Sequence, residues 1–239
     1  RMNENSLKDI KAILFDLDGT LIDAQSGLKA AYDAVAAELC EMLSQPENTS
    51  TEDISEMLSD FNDRMNRKRK YNRDKWWPKF VKETNFKGEL NQTQIKKLTD
   101  LYWQVYEDEA DPYPPADSIL EYLSEKGYLI GILTDTDDTD RSKKERIYPL
   151  SFSDLLDAIV AAGKDTENTK PDAEPYKLAA SKLGVKMDEC AMVGDKPFTD
   201  IKGAKSVGMI TILVNRREWE SDVEPHYSID SLEEIRDIF

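Results

Sequence analysis

Cysteine and histidine are scarce in this chain of 239 residues, and their scarcity argues against several kinds of site. Cys40 and Cys190 are the only thiols, which is too few for a disulfide framework, so we expect a reducing compartment and two buried, inert side chains. His226 is the single histidine and lies near the end of the sequence, among Pro and Tyr. This leaves little basis for histidine-based catalysis or a histidine-rich metal site, and a surface position is expected for His226.

Long apolar runs are also lacking. No segment approaches the roughly 18 consecutive apolar residues of a membrane span, and the first ten residues lack the apolar stretch of a secretory signal. We therefore expect a cytoplasmic protein. Basic residues are also fewer than acidic ones: the chain has 32 Lys and Arg and 48 Asp and Glu, which gives a net charge of −16. Nucleic acid and anionic membranes carry the same sign, so neither is an expected partner and a small-molecule ligand is favoured.

What the chain does have is an early pair of aspartates directly after an apolar run. Residues 11–23 read KAILFDLDGTLID, and the apolar stretch before Asp16 is typical of a central parallel strand buried on both faces. The period of two points Asp16 and Asp18 to the same side, and Gly19 gives the following turn its backbone freedom. Two close carboxylates either raise one pKa or recruit a cation such as Mg2+. Taken alone, the motif is equally compatible with an Asp-rich turn that has no chemical role.

The remaining apolar runs alternate with helical patterns, which predicts an α/β fold with a doubly wound parallel sheet. The strand-like runs are 128–134, 156–162, 190–193 and 209–214. Helices are predicted over 118–126 and 172–183, and each ends at a glycine that can take the C′ position. A capping box at 231–234 predicts a last short helix through Phe239.

A long helical insertion interrupts this alternation. It contains only two glycines, Gly27 and Gly88, and its apolar residues recur at helical spacing over 28–39, 54–61 and 95–105. Prolines at 112, 114 and 115 mark the return to the sheet and stiffen a predicted hinge. We therefore predict two domains. The α/β core comprises residues 1–23 and 111–239, and an all-helical domain comprises residues 24–110.

Four later polar residues also lie where predicted strands end or just beyond. Thr134 ends the second strand, Lys170 lies in the loop system after the third, and Asp195 ends the fourth, with Asp200 shortly after it. Because ligands of open α/β sheets bind at the carboxyl edge, these groups would converge on the early pair of aspartates. A hydroxyl, an ammonium and several carboxylates at one edge suit phosphoryl transfer.

These motifs resemble those of the haloacid dehalogenase superfamily of hydrolases, in the subgroup with a helical cap inserted after the first motif. The matched residues are Asp16-Leu-Asp18-Gly19-Thr20, Thr134 at a strand end, Lys170 before a proline, and Gly194-Asp195 followed by Asp200. The resemblance covers essentially the whole core, and the insertion matches only in being helical. It implies a Rossmann-like core with a helical cap, Mg2+ as cofactor, and a phosphatase. The substrate would be a small phosphorylated metabolite of the phosphoglycolate, sugar-phosphate or nucleotide type.

The resemblance also implies a role for each matched residue. Asp16 would be the nucleophile that forms an aspartyl-phosphate, and Asp18 would serve as acid for the leaving group and then as base for water. Lys170 would offset the repulsion between Asp16 and an anionic ester. Thr134 and the amide of Asp135 would hold a phosphoryl oxygen.

The metal would be bound by the side chains of Asp16 and Asp195 and by the backbone carbonyl of Asp18. Asp200 is expected to orient metal-bound water or the active-site lysine rather than bind the metal directly. Asp135 departs from the family pattern, because many relatives carry asparagine there, and residues 134–140 are unusually acidic. A calcium-binding loop starting at Asp135 is rejected, since the glycine and glutamate that such a loop requires are missing.

Other functions stay open at this stage. The resemblance leaves sugar phosphomutase and 2-haloacid dehalogenase chemistry as alternatives, although dehalogenases of this family replace the second acid, Asp18. A phosphoacceptor signalling module and a non-catalytic phosphate-binding protein are the alternatives outside catalysis. The sequence does not specify an oligomeric state.

A basic segment in the helical insertion has two interpretations. Residues 64–82 carry nine basic side chains and one acid. A solvated helix face is favoured, and the alternative is a set of side chains that draws an anionic substrate to the site. The candidates for that role are Arg67, Arg69, Arg73 and Lys75. Trp76 and Trp77, in the same segment, are expected to pack in the helical core.

Overall fold

The computed structural model describes residues 7–137 and 143–239, which form two compact units. The first contains the described residues up to Ile22, then Pro112–Thr136, and the residues from 143 onward. The second is Asp23–Asp111 together with Asp137. One cluster of buried apolar side chains lies wholly within the second unit and another wholly within the first. Each unit therefore has its own hydrophobic core.

Six strands in the described part of the chain form one parallel sheet. They are β1 (Ala12–Phe15), β2 (Leu129–Asp135), β3 (Ala158–Ala162), β4 (Cys190–Gly194), β5 (Ile210–Val214) and β6 (Tyr227–Ile229). Their order is β3-β2-β1-β4-β5-β6, and every neighbouring pair is parallel. The predicted α/β fold with a doubly wound parallel sheet is confirmed. β6 was not predicted, because three residues, only one of them buried, give no apolar run.

Four long helices make up the second unit, here called the helical unit. They are α1 (Ala24–Met42), α2 (Thr51–Arg67), α3 (Arg73–Glu83) and α4 (Gln92–Glu109). Each begins after a polar side chain that accepts a hydrogen bond from a backbone amide in the first turn. These capping residues are Asp23, Ser50, Asn72 and Asn91. The helical periodicity read from the sequence is confirmed for this unit.

Aromatic side chains dominate the core of the helical unit. Trp76 and Trp77 are 2% and 1% exposed, so both pack inside as expected. The Trp77 indole donates a hydrogen bond to Thr99 Oγ1 at 2.8 Å, which satisfies its buried N–H. Phe61 lies edge-on to Trp76 and to Phe80, with ring centroids 5.6 and 5.5 Å apart.

The basic segment of this unit divides into a buried arginine and exposed neighbours. The Arg73 guanidinium stacks over the ring of Trp76, 3.6 Å from its centroid, and donates a hydrogen bond to the Tyr71 carbonyl at 2.9 Å. Arg73 therefore belongs to the core of the helical unit, whereas Arg69 and Lys75 are exposed.

Helices α5 to α9 belong to the sheet unit. They are α5 (Ala116–Glu125), α6 (Lys144–Ile147), α7 (Ala173–Leu183), α8 (Lys202–Ser206) and α9 (Ile235–Ile238). Asp172 caps the start of α7, and Gly184 ends it in the left-handed conformation with a φ of 69°. The predicted end of α7 at Gly184 is thus confirmed, and Asp172, predicted as the first helical residue, is instead the N-cap. The capping box at Ser231 also forms, and it opens a 3-10 turn that leads into α9.

The position of β1 explains why the polar residues of the sequence meet. All four of its residues are buried, and Phe15 pairs with Ile132 of β2 and with Val193 of β4. The chain continues directly into Asp16, whose amide donates to the Val193 carbonyl at 2.9 Å. The residues that follow β1, β2 and β4 therefore share one carboxyl edge, where ligands of open α/β sheets bind.

Two expectations about single residues need correction. Cys190 is fully buried as expected, but Cys40 is only half-buried, because it lies at the margin of the helical core. His226 is also half-buried rather than on the surface, and its Nδ1 accepts a hydrogen bond from the Thr211 amide at 3.1 Å. Among the described residues, no helix combines the length and apolar character needed to cross a membrane.

Candidate active site

A cluster of three carboxylates lies at the carboxyl edge of the sheet. Asp16 follows β1, Asp195 follows β4, and Asp200 lies in the π-helical turn Pro197–Ile201 beyond it. One oxygen from each lies within 4.8 Å of the others, and the three residues are 2%, 6% and 0% exposed. This set is called the carboxylate cluster below. Three acids so close and so buried require positive charge or protons to coexist.

Two glycines allow the carboxylate cluster to form. Gly19 has a φ of +91°, and a Cβ at this position would lie 2.6 Å from Asp195 Oδ2. A Cβ on Gly194 would overlap the side chain of Asp200. Glycine is required at both positions because the carboxylates occupy the space that a side chain would take.

Lys170 supplies the central positive charge. Its ammonium donates to Asp16 Oδ1 at 2.8 Å, to Asp200 Oδ1 at 2.7 Å and to the Leu133 carbonyl at 3.2 Å. The three donors of the ammonium therefore have three acceptors, and the side chain is 2% exposed. Burial lowers a lysine pKa, but the charges of Asp16 and Asp200 outweigh it and hold the pKa of Lys170 well above its usual value.

The environment shifts the pKa values of the three acids in different directions. Burial raises the pKa of Asp16, but the nearby Lys170 and Lys196 outweigh it and bring that pKa below the usual range. At Asp200 burial prevails over the opposing Lys170 charge and raises the pKa to about 7. Burial also raises the pKa of Asp195. Asp16 is thus the acid best held as a carboxylate, the form that a nucleophile requires.

The end of β2 brings Thr134 and Asp135 to the same edge. Thr134 is 1% exposed. The Asp135 carboxylate accepts a hydrogen bond from the Lys170 amide at 2.9 Å, so it fixes the loop that carries the lysine. The acidic stretch identified in the sequence continues through Asp138–Asp140, which lie outside the described residues.

The Asp18 side chain is held by two cations that the sequence interpretation missed. Its oxygens lie 2.6 Å from Lys143 Nζ and 2.6 Å from Arg146 Nη2, and both cationic side chains are 8% exposed. The Asp18 carboxylate is therefore paired outside the carboxylate cluster, while its backbone carbonyl faces Lys196 at 3.4 Å. Lys143 and Arg146 come shortly after the acidic stretch of residues 134–140. The change from acidic to basic residues at this point was the one sequence signal that could have indicated partners for an acid.

Lys196 lies among oxygens that a divalent cation prefers. Its Nζ is 3.4 Å from the Asp18 carbonyl oxygen, 3.5 Å from Asp195 Oδ1 and 3.6 Å from Asp16 Oδ2. Asp195 Oδ1 is buried and accepts no hydrogen bond from the residues that the structure describes. Carboxylate and carbonyl oxygens are the ligands of Mg2+. The side chains present therefore fit the cation that the sequence predicted.

Two side chains from the loop after β5 donate hydrogen bonds to main-chain carbonyls of the site. Arg216 Nε donates to the Gly19 carbonyl at 3.2 Å, and its Nη2 donates to the Thr20 carbonyl at 3.3 Å. The Trp219 indole donates to the Asp195 carbonyl at 2.9 Å. Both side chains hold main-chain segments that carry acids, and neither stands out in the sequence because each contact joins distant parts of the chain.

The arrangement provides the elements of a group transfer to a carboxylate. Asp16 offers a carboxylate oxygen, Lys170 is a fixed cation beside it, and Asp18 is a second acid within the same turn. The nearby oxygens of Asp195 and of the Asp18 carbonyl can bind a metal ion. Such a set can attack an electrophilic centre that carries negative charge, of which phosphorus in a phosphate ester is an example.

The chain is similar to known hydrolases over most of its length. The model of the haloacid dehalogenase-like hydrolase family matches residues 10–208. A ribulose-1,5-bisphosphate 5-phosphatase from Halopiger xanaduensis is 34% identical over 153 residues, which cover 59% of this chain and 62% of that protein. A glyceraldehyde 3-phosphate phosphatase from Methanocaldococcus jannaschii is 29% identical over 237 residues, 96% of each chain. The crystal structure of a HAD phosphatase from Thermococcus onnurineus has a TM-score of 0.66 and 26% identity, covering 96% of this chain and 97% of that chain.

Proposed function

The chain belongs to the haloacid dehalogenase-like hydrolase family, and on this premise we propose that it is a Mg2+-dependent phosphatase. It hydrolyses a small phosphate monoester through an aspartyl-phosphate formed on Asp16. The observation that carries the proposal is the buried pair of Asp16 and Lys170, 2.8 Å apart, beside Asp195 at the carboxyl edge of the sheet. The names of the similar proteins, which are phosphatases of small phosphorylated compounds, support the same class of reaction.

The reaction proceeds in two transfers of the phosphoryl group. In the first, an Asp16 oxygen forms a bond to phosphorus, the ester P–O bond breaks, and Asp18 gives a proton to the leaving alkoxide. In the second, water attacks phosphorus, Asp18 takes a proton from that water, and the bond to Asp16 breaks to release phosphate. The contacts of Asp18 with Lys143 and Arg146 support a defined position for this acid. Both contacts favour the ionised carboxylate, so in this proposal they open before Asp18 gives its proton.

The other residues hold the reacting groups in place. Lys170 offsets the repulsion between the Asp16 carboxylate and an anionic ester, and its three hydrogen bonds fix it in that position. Thr134 and the amide of Asp135 bind a phosphoryl oxygen. Burial of Thr134 at a strand end and the hydrogen bond from the Lys170 amide to Asp135 support this role, because both restrict movement of the edge.

Mg2+ would be held by the side chains of Asp16 and Asp195 and by the Asp18 carbonyl, and when bound it supplies positive charge that screens the anionic reactants. Asp200 orients Lys170 rather than the metal. Its Oδ1 accepts from the lysine ammonium and its Oδ2 from the Lys196 amide at 3.0 Å. Both of its oxygens are therefore already engaged by protein donors.

The helical insertion, residues 24–110, serves in this proposal as a cap domain that selects the substrate and limits the access of water. Its own aromatic core and its four capped helices support an independent unit of this kind. The substrate is a small phosphorylated metabolite, and a cytoplasmic location is consistent with such a substrate.

The proposal is tested by phosphate release from a panel of monoesters with the purified protein and Mg2+. The panel contains phosphoglycolate, glyceraldehyde 3-phosphate, ribulose 1,5-bisphosphate, a hexose phosphate, a nucleoside monophosphate and an aryl phosphate. Phosphate release that disappears on chelation is expected. A parallel assay for chloride release from 2-chloropropionate addresses dehalogenase chemistry, and a phosphatase should give none.

The key variant is Asp16→Asn, which keeps the shape of the side chain and removes the nucleophilic carboxylate. We expect phosphate release to fall by a factor of about 1,000 or more, since the nucleophile is lost. Asp188→Asn is the matched control, because Asp188 is exposed in the same unit and should leave turnover unchanged. Turnover that survives in Asp16→Asn, or inactivity on every ester of the panel, would contradict the proposal.

A further inference from the structure

Lys196 stands in an unusual place for a lysine. It directly follows Asp195 at the end of β4, and its ammonium is shared by three oxygens at 3.4, 3.5 and 3.6 Å rather than bonded closely to one. The three oxygens belong to the Asp18 carbonyl and to the Asp195 and Asp16 side chains. The ammonium is thus a positive charge placed between acceptors of two segments, the residues that follow β1 and the end of β4.

The same three residues are the metal ligands in the proposed function. An ammonium and a divalent cation cannot share these oxygens, because their like charges would lie within a few ångströms in a largely buried site. We propose that Lys196 is a tethered competitor of the metal, so that its ammonium must leave the site for the divalent cation to bind. This inference rests on the metal site of the proposed function.

The two lysines of the site differ in their freedom to move. Lys170 is 2% exposed and uses all three donors in hydrogen bonds at 3.2 Å or less. Lys196 is 26% exposed, and its contacts with the three oxygens are longer. Lys196 can therefore withdraw toward solvent while Lys170 stays beside Asp16, and only Lys196 can exchange with a metal ion.

Competition has two consequences for the protein. Without metal, the Lys196 ammonium offsets the negative charge of Asp16 and Asp195 and stabilises the fold. With metal, part of the binding free energy is used to displace the ammonium. Lys196 therefore lowers the affinity for the divalent cation and determines the concentration at which the metal-bound form prevails.

The test is direct binding of Mg2+ by calorimetry, and of Mn2+ by the loss of its free EPR signal, in the wild type and in Lys196→Met. Removal of the competing charge should tighten the Kd on the order of tenfold. The metal-free variant should melt at a lower temperature than the metal-free wild type. Saturating Mg2+ should raise the Tm of the variant by more than it raises the Tm of the wild type. Lys202→Met is the control, because Lys202 is exposed a few residues away and its loss should change neither quantity.

Two further variants keep the test decisive. Lys196→Arg retains the positive charge and should retain weak metal binding, and Lys196→Gln provides a second neutral side chain if the methionine variant does not fold. Equal Kd values in the wild type and the neutral variants would overturn the competition while leaving the proposed function intact. Absence of Mg2+ and Mn2+ binding in all of them would overturn both the competition and the metal site of the proposed function.

Discussion

At the scale of single residues, the site depends on one buried lysine between two buried acids. Lys170 contacts Asp16 and Asp200 at 2.8 and 2.7 Å, and none of the three side chains is more than 3% exposed. Two carboxylates this close would repel each other without the ammonium. The lysine therefore stabilises the fold and at the same time keeps Asp16 charged, as the proposed nucleophile must be.

Replacing Lys170 should therefore damage stability and activity together. In Lys170→Met, phosphate release should fall by about 100- to 1,000-fold, the usual loss for a deleted electrostatic stabiliser. The free energy of unfolding, measured in urea without metal, should fall by about 3–5 kcal/mol, because the buried acids lose their partner. Lys177→Met, at an exposed position of α7, is the control.

A double variant separates the two roles of this lysine. Lys170→Met combined with Asp200→Asn removes one of the unpaired acids, so part of the lost stability should return. Activity should not return, since Asp16 still lacks its cation. If Lys170→Met kept a tenth or more of the wild-type turnover, the role of the lysine at the nucleophile would be wrong.

The two cysteines should differ sharply in reactivity. Burial and the nearby Glu189 raise the pKa of Cys190 to about 12, so its thiol stays protonated and shielded at neutral pH. Cys40 is only half-buried. Iodoacetamide at pH 8 should modify Cys40 in the native protein and reach Cys190 only after unfolding, as measured by peptide mass spectrometry. Native Cys40→Ser should take up no label, and labelling of Cys190 at the rate of Cys40 would contradict its assignment to the core.

At the scale of elements, the turn after β4 is the most constrained piece of backbone in the site. Gly194 ends the strand, and Asp200 returns over it in the π-helical turn so closely that no Cβ fits between them. The Oδ2 of Asp200 accepts from the Lys196 amide at 3.0 Å, which closes the turn on itself. Strand end, turn and carboxylate therefore form one rigid piece.

Gly194→Ala should displace Asp200 and loosen this piece. We expect a loss of about 1–3 kcal/mol from overpacking, measured by urea unfolding, and a lower kcat because Lys170 loses a partner. Gly184→Ala is the matched control: it also removes a glycine, at a φ of 69°, but nothing lies near its Cβ. Its loss of stability should be about 1 kcal/mol with kcat unchanged. Equal kcat values for both variants would argue against the role of the turn.

At the scale of the whole molecule, the features that could be predicted from the sequence are those that depend on residues close together along the chain. Apolar runs predicted β1 to β5, and capping residues predicted the end of α7, because both depend on neighbours along the chain. The strand ends then led to the carboxylate cluster and to Lys170, since parallel strands must share an edge. What escaped prediction depends on contacts between distant segments: Arg146 on Asp18, Trp219 on Asp195, and the short β6 beside β5.

The central position of β1 has a consequence for synthesis on the ribosome. Its residues, Ala12–Phe15, leave the exit tunnel early, but their partners in the sheet begin at Leu129 and Cys190. The buried residues of the helical core lie between Ala31 and Tyr106, so all of them are synthesised before either partner of β1, whose apolar residues stay unpaired in the meantime. Non-local parallel pairing is slow and exposes the nascent chain to aggregation. The strand that precedes the proposed nucleophile is thus expected to wait longest for its partners during translation.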